Sequence, residues 1–165
     1  MRGYRWVACA TLCLFVGLVL VLDPVRQNEA EADGGEKQQL LELINGYREA
    51  NGVGPLSMSE TLSTTATRHS EDMMRYDFFS HRTKESSYYP TGSWPVDRAA
   101  QEGYPTDSAY AAENIARGQP SPEEVFQEWR LSPDHDANML DEYYTVTGIG
   151  HDGDYWTADF GSVAE

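Results

Sequence analysis

Four histidines, His69, His81, His135 and His151, and 27 acidic residues are the side chains of this 165-residue sequence best suited to hold a metal or move a proton. Imidazole is the side chain whose ordinary pKa lies nearest neutrality, and it is a common zinc ligand. Both cysteines, Cys9 and Cys13, lie inside an N-terminal apolar run, so the rest of the chain has no thiol nucleophile, thiolate ligand or disulfide. There is no His-Glu-x-x-His, no Gly-x-Ser-x-Gly and no phosphate-cradling glycine loop. Nothing singles out a carboxylate pair for glycoside hydrolysis among the acids.

The positions of the histidines separate them. Leu62, Ala66, His69 and Met73 recur on one helical face, which makes His69 a hydrogen-bonded core residue. His151 falls at a hairpin, where a solvated side chain is the expectation. His81 follows the aromatic pair of "DFFSHRT" and His135 sits in "SPDHDANML". Each lies at an element boundary, where a side chain can point into a cleft. At the start of a helix the dipole disfavours a charged His135, while Asp134 and Asp136 favour one, so no net shift follows. Ser132 reads as an N-cap.

The elements that must position these residues follow from pattern. "KQQLLELINGYREANG" places Leu40, Leu41, Ile44 and Tyr47 on one helical face and ends at Gly52. A second helix runs through "SMSETLSTTATRHSEDMMRYDFF", with Ser57 and Glu60 spaced as a capping box. "WPVDRAAQEGY" is a short helix ended by Gly103, and "SPEEVFQEW" opens with a serine cap and a proline at the first helical position. "SAYAAENIA", "EYYTVTGIG" and "DYWTADFGSV" are strands, the last two joined through Asp152-Gly153. Helices early and an antiparallel pair late give an α+β class.

Residues 6–22 are an unbroken apolar run behind Arg2 and Arg5. They lack an Ala-x-Ala-like cleavage site, so residues 1–22 are expected to be an uncleaved signal anchor, a transmembrane helix with its N-terminus inside and the domain outside. Secretion after signal cleavage is the alternative. Residues 23–36 are charged and glycine-containing without apolar periodicity, which predicts a disordered acidic tether; residues 37–165 form the domain. Beyond residue 22 there are ten basic against 27 acidic residues, a formal charge of −17. Nucleic acid is excluded as a partner for want of a basic patch. Such a surface suits salt-rich surroundings, where screening relieves self-repulsion.

"FFSH", "DRAAQEGY", "AENIA", "EEVFQEWRLSPDHDANML", "GIG" and "YWTADFG" resemble, in this order, the bacterial branch of the CAP superfamily, whose module is also called the SCP domain. The resemblance runs from about Leu40 to Gly161. It implies a three-layer α-β-α sandwich with a central antiparallel sheet, and a cleft with two histidines and two glutamates. Carried onto this chain, the cleft holds His81, Glu113 and His135; Ser132 stands where the second glutamate would fall. Ala112, Asp134 and Asp136 also depart from the family pattern, the acids making the cleft mouth more negative. Two imidazoles and a carboxylate suit zinc or another divalent metal, or a metal-free hydrogen-bond network. Asn114, Trp129, Ser132 and Asn138 would support the cleft. The likeness implies a binding module for a small hydrophobic ligand, a cell-envelope component or a protein partner. A metal-dependent, peptidase-like hydrolase is the alternative, weakened by the missing glutamate, the natural candidate for general base.

Overall fold

The computed structural model describes residues 24–106 and 112–164, with side chains from residue 31 onward. Nine elements follow in order: α1 (Pro24–Ala50), β1 (Ser57–Met58), α2 (Glu60–Arg75), α3 (Pro95–Glu102), β2 (Ala112–Arg117), α4 (Pro122–Leu131), α5 (Pro133–Leu140), β3 (Val146–Asp152) and β4 (Tyr155–Gly161). The sheet order is β1-β3-β4-β2, antiparallel except for a two-residue parallel bridge between β1 and β3. The closing hairpin turns at Gly153, whose φ of +57° lies in the left-handed region that favours glycine.

Side chains alternate across the sheet, and each face has its own cover. Leu40 and Ile44 of α1, Val125, Phe126 and Trp129 of α4, and Met139 of α5 pack on Ile149, Trp156, Ala158 and Phe160. The other face receives α2 and α3: Leu62, Ala99, Tyr104 and Val146 form one cluster there, Met73, Ile115 and Tyr155 another. The expected α-β-α layering is thus present. Helix α2 lies directly on β3 because Gly148 and Gly150 have no side chain. A Cβ on Gly148 would sit 1.9 Å from the backbone carbon of Leu62, and one on Gly150 2.2 Å from that of Ala66.

Three local expectations are corrected. Ser57 does not cap α2, because it pairs with Val146 in β1; the cap is Ser59, whose side chain accepts from the Leu62 amide. Helix α2 ends at Arg75, so His81 belongs to the loop that follows. Residues 24–36, expected to lack regular structure, are the first turns of α1. A Lys37–Asp33 pair at 2.5 Å and contacts from His151 hold this part of the helix, and the local sequence does not reveal the latter. The anchor expected over residues 1–22 lies outside the described residues, as do residues 108–111 of the expected strand "SAYAAENIA"; among the described residues no helix is long and apolar enough to cross a membrane.

Candidate functional site

Among the described residues strand β2 ends the sheet, and two consecutive residues on it engage the two candidate histidine segments. Glu113 faces α2 and α3. Its Oε1 lies 2.8 Å from His81 Nδ1, its Oε2 accepts from Arg98, and His69 Nε2 is 3.9 Å away. Asn114, on the other face, donates to the His135 carbonyl at 3.0 Å and accepts from Asn138 Nδ2 at 2.8 Å. The alternation of a strand therefore ties the His81 loop to one face and α5 to the other.

Glu113 and Arg98 are buried side by side. Burial alone would raise the carboxyl, but the Arg98 guanidinium, with His69 and His81, outweighs it and holds Glu113 below the usual range. Arg98 also donates to the carbonyls of His81 at 2.8 Å and Ser93 at 3.3 Å, so it fastens both ends of the loop to the sheet edge. Asp159, opposite Glu113 on β4, has two buried oxygens without hydrogen-bond partners among the described residues. Burial and the neighbouring Glu113 charge push its pKa well above the ordinary value, which favours the neutral acid.

His69 is fully buried as expected, with Nε2 3.0 Å from the Ser80 carbonyl. Burial lowers its pKa to about 4, so it is neutral at pH 7. His81 has a side chain 44% exposed; with Nδ1 on Glu113, Nε2 is the nitrogen left for a ligand. His135 packs near Trp129, ring centroids 6.4 Å apart, and its Nδ1 is buried without a partner among the described residues. Burial lowers its pKa, and the nearby His81 adds to the effect. Trp129 is fully buried and donates to the Ile115 carbonyl. Ser132 stands at the N-cap of α5, but its side chain makes no cap hydrogen bond.

The family model for the cysteine-rich secretory protein family, CAP, matches residues 41–160. The chain belongs to this family. Its described domain has no cysteine at all, so no disulfide supports the fold there. The chain is 36% identical over 126 residues to YkwD of Bacillus subtilis, covering 75% of this chain and 46% of that one. It is 33% identical over 124 residues to the membrane protein YlbC of the same organism, covering 75% and 34%. An extracellular SCP-domain protein of Bacillus anthracis superposes with a TM-score of 0.70 at 27% identity, over 87% of this chain and 44% of that one. The chain thus spans less than half the length of these Bacillus relatives.

As a metal centre, the trio His81, Glu113 and His135 fits poorly. Its ligand atoms are not among those that gather within 4.8 Å of one another. Both Glu113 oxygens are engaged, one by a guanidinium, so a cation could reach the carboxylate only by displacing Arg98 or His81. Arg98 was not singled out from the sequence. No local signal marked it, because at helical spacing Arg98 groups with Asp97, Gln101 and Glu102 on the polar side of α3, and only the fold buries it. His151, expected to be solvated, is half-buried and stacked on Trp156 with centroids 3.8 Å apart.

Proposed function

We propose that this CAP domain is an outward-facing binding module held at the cell membrane by its N-terminal segment, taking its ligand between His81 and His135. The observation that carries this reading is the engagement of Glu113. Its two oxygens serve His81 and Arg98, which leaves imidazole nitrogens for a ligand while Glu113 itself is not free to act as general base. The likeness to an extracellular protein of Bacillus anthracis and to the membrane protein YlbC supports the location. Phe79, Trp94 and Leu131 are 48, 52 and 78% exposed and lie in the segments carrying the two histidines. They favour a ligand with an apolar face, whether a small hydrophobic molecule, an envelope component or a protein segment.

The test is native mass spectrometry of the full chain purified from membranes, with His135→Ala in parallel and both proteins incubated with casein and mixed esters. The expected result is a co-purifying molecule lost in the variant, without turnover by either protein. Turnover by the wild type that disappears in His135→Ala would replace the binding reading with a hydrolase.

A further inference from the structure

Away from this cleft, three ligand atoms converge where α1 meets the closing hairpin. Asp33 and Glu36 are three residues apart on α1 and so share a face, and His151 reaches them from β3. The His151 ring is fixed on two sides. It stacks on Trp156 at an interplanar angle of 15°, and its Nε2 lies 2.8 Å from the Gly153 carbonyl. A carbonyl only accepts, so Nε2 carries a proton, and in the neutral ring Nδ1 is then the lone-pair nitrogen. That nitrogen faces Asp33 Oδ1 at 3.2 Å and Glu36 Oε2 at 3.3 Å. Three acceptors around one point require a positive centre between them: a second proton on the ring or a cation.

We propose that Asp33, Glu36 and His151 form a binding site for zinc or a similar first-row divalent cation. The spacing supports it. A tetrahedral cation with ligands at about 2.0–2.2 Å has ligand–ligand edges of about 3.3–3.6 Å, close to the two separations from His151, and all three ligand atoms lie within 4.8 Å of one another. The Nε2 contact with a backbone carbonyl is the arrangement that metal-bound histidines use to fix ring orientation and tautomer. Two carboxylates and one imidazole suit a borderline divalent ion, with a coordination position left for water. Lys37 holds the outer oxygen of Asp33 at 2.5 Å, so it leaves Oδ1 free while tempering the affinity. The bound ion would staple the first turns of α1, which follow the apolar segment of residues 6–22, to a hairpin more than a hundred residues away in sequence.

The experiment titrates zinc chloride into the full chain in detergent micelles at pH 7.5 by calorimetry. Wild type is compared with Asp33→Asn, Glu36→Gln, His151→Ala and, as the control for the other cleft, His135→Ala. One zinc per chain is expected, weakened at least tenfold in the first three variants and unchanged in the control. Zinc should also slow tryptic cleavage after Lys37 in wild type and not in Glu36→Gln. Because Glu36→Gln removes a surface carboxylate, it tests the site even where His151→Ala fails to fold. No zinc binding by wild type, binding unchanged in Glu36→Gln, or binding lost in His135→Ala would each overturn the proposal.

Discussion

Replacing Arg98 by methionine tests the electrostatic account of the cleft, because it keeps most of the side-chain stem and removes only the guanidinium. In the wild type Arg98 and Glu113 side chains are 0 and 1% exposed, so the carboxylate left behind cannot recover its lost partner from water. Breaking a buried ion pair by removing one partner costs about 3–5 kcal/mol. The bonds to the His81 and Ser93 carbonyls go with it. Against a total stability on the order of 5–15 kcal/mol for a domain, this is a large fraction. With a urea m-value of about 1–3 kcal/mol/M, the unfolding midpoint should fall by roughly 2 M.

The assay is urea unfolding followed by circular dichroism, for Arg98→Met, Glu113→Gln and the double variant. Glu113→Gln alone strands the guanidinium, so it is also destabilising, whereas the double variant leaves no uncompensated charge and should recover much of the loss. A favourable wild-type coupling on the order of 2 kcal/mol is therefore expected from the cycle. The pH dependence supplies a second signature. In wild type Arg98 helps to hold the Glu113 pKa down; without it, burial dominates and the pKa rises. A raised folded-state pKa destabilises increasingly as pH climbs above the unfolded value, so Arg98→Met should lose less at pH 5 than at pH 8. A loss below about 1 kcal/mol, or a double variant no better than Arg98→Met, would refute the buried-pair reasoning.

Gly150→Ala should cost about 3 kcal/mol or more, beyond ordinary overpacking, because the added Cβ meets helix backbone at 2.2 Å and α2 must move off β3; thermal unfolding measures it, and an unchanged melting temperature refutes direct seating of α2 on the glycines. His69, with a folded pKa of about 4 against 6.5 when unfolded, is neutral in the native state. Its contribution is complete above pH 6.5 and falls as the unfolded chain gains the extra proton, by about 2 kcal/mol between pH 7.5 and pH 5. The difference in unfolding free energy between wild type and His69→Gln over that range isolates it from Asp159, whose raised pKa acts in the opposite sense; a pH-independent difference refutes the assignment.

Local patterns revealed much of this molecule because they are written in neighbouring residues. The apolar stripes of α1 and α2, the stops at Gly52 and Gly103 and the Ser121 cap each depend on contacts within a few positions, and each appears in the structure. What pattern could not show depends on partners distant in sequence. Ser57 loses its expected capping role because Val146 pairs with it in β1. The early turns of α1 look polar all round, and their seating involves His151, 118 positions from Asp33. Arg98 reads as the polar face of a short amphipathic helix until Glu113, 15 positions later, is brought against it by the sheet edge.

The same distinction explains how the cleft is built. The motif "AENIA" is legible as a strand, and the family likeness marks Glu113, but neither shows why the next residue is asparagine. On an edge strand, adjacent side chains serve opposite faces. Glu113 gathers His81, Arg98 and His69 on the α2 side, and Asn114 holds the His135 backbone and Asn138 on the α5 side. His81 and His135 are therefore anchored independently, one by a charge-assisted contact to its ring and the other through its main chain. The His81 anchor depends on an ionised carboxylate; the His135 anchor is a hydrogen bond donated by the Asn114 amide to a backbone carbonyl and has no titrating group. Protonation of Glu113 would weaken its contact with the His81 ring and leave the Asn114–His135 contact in place, and Arg98, by favouring the ionised carboxylate, extends to lower pH the range over which both contacts hold.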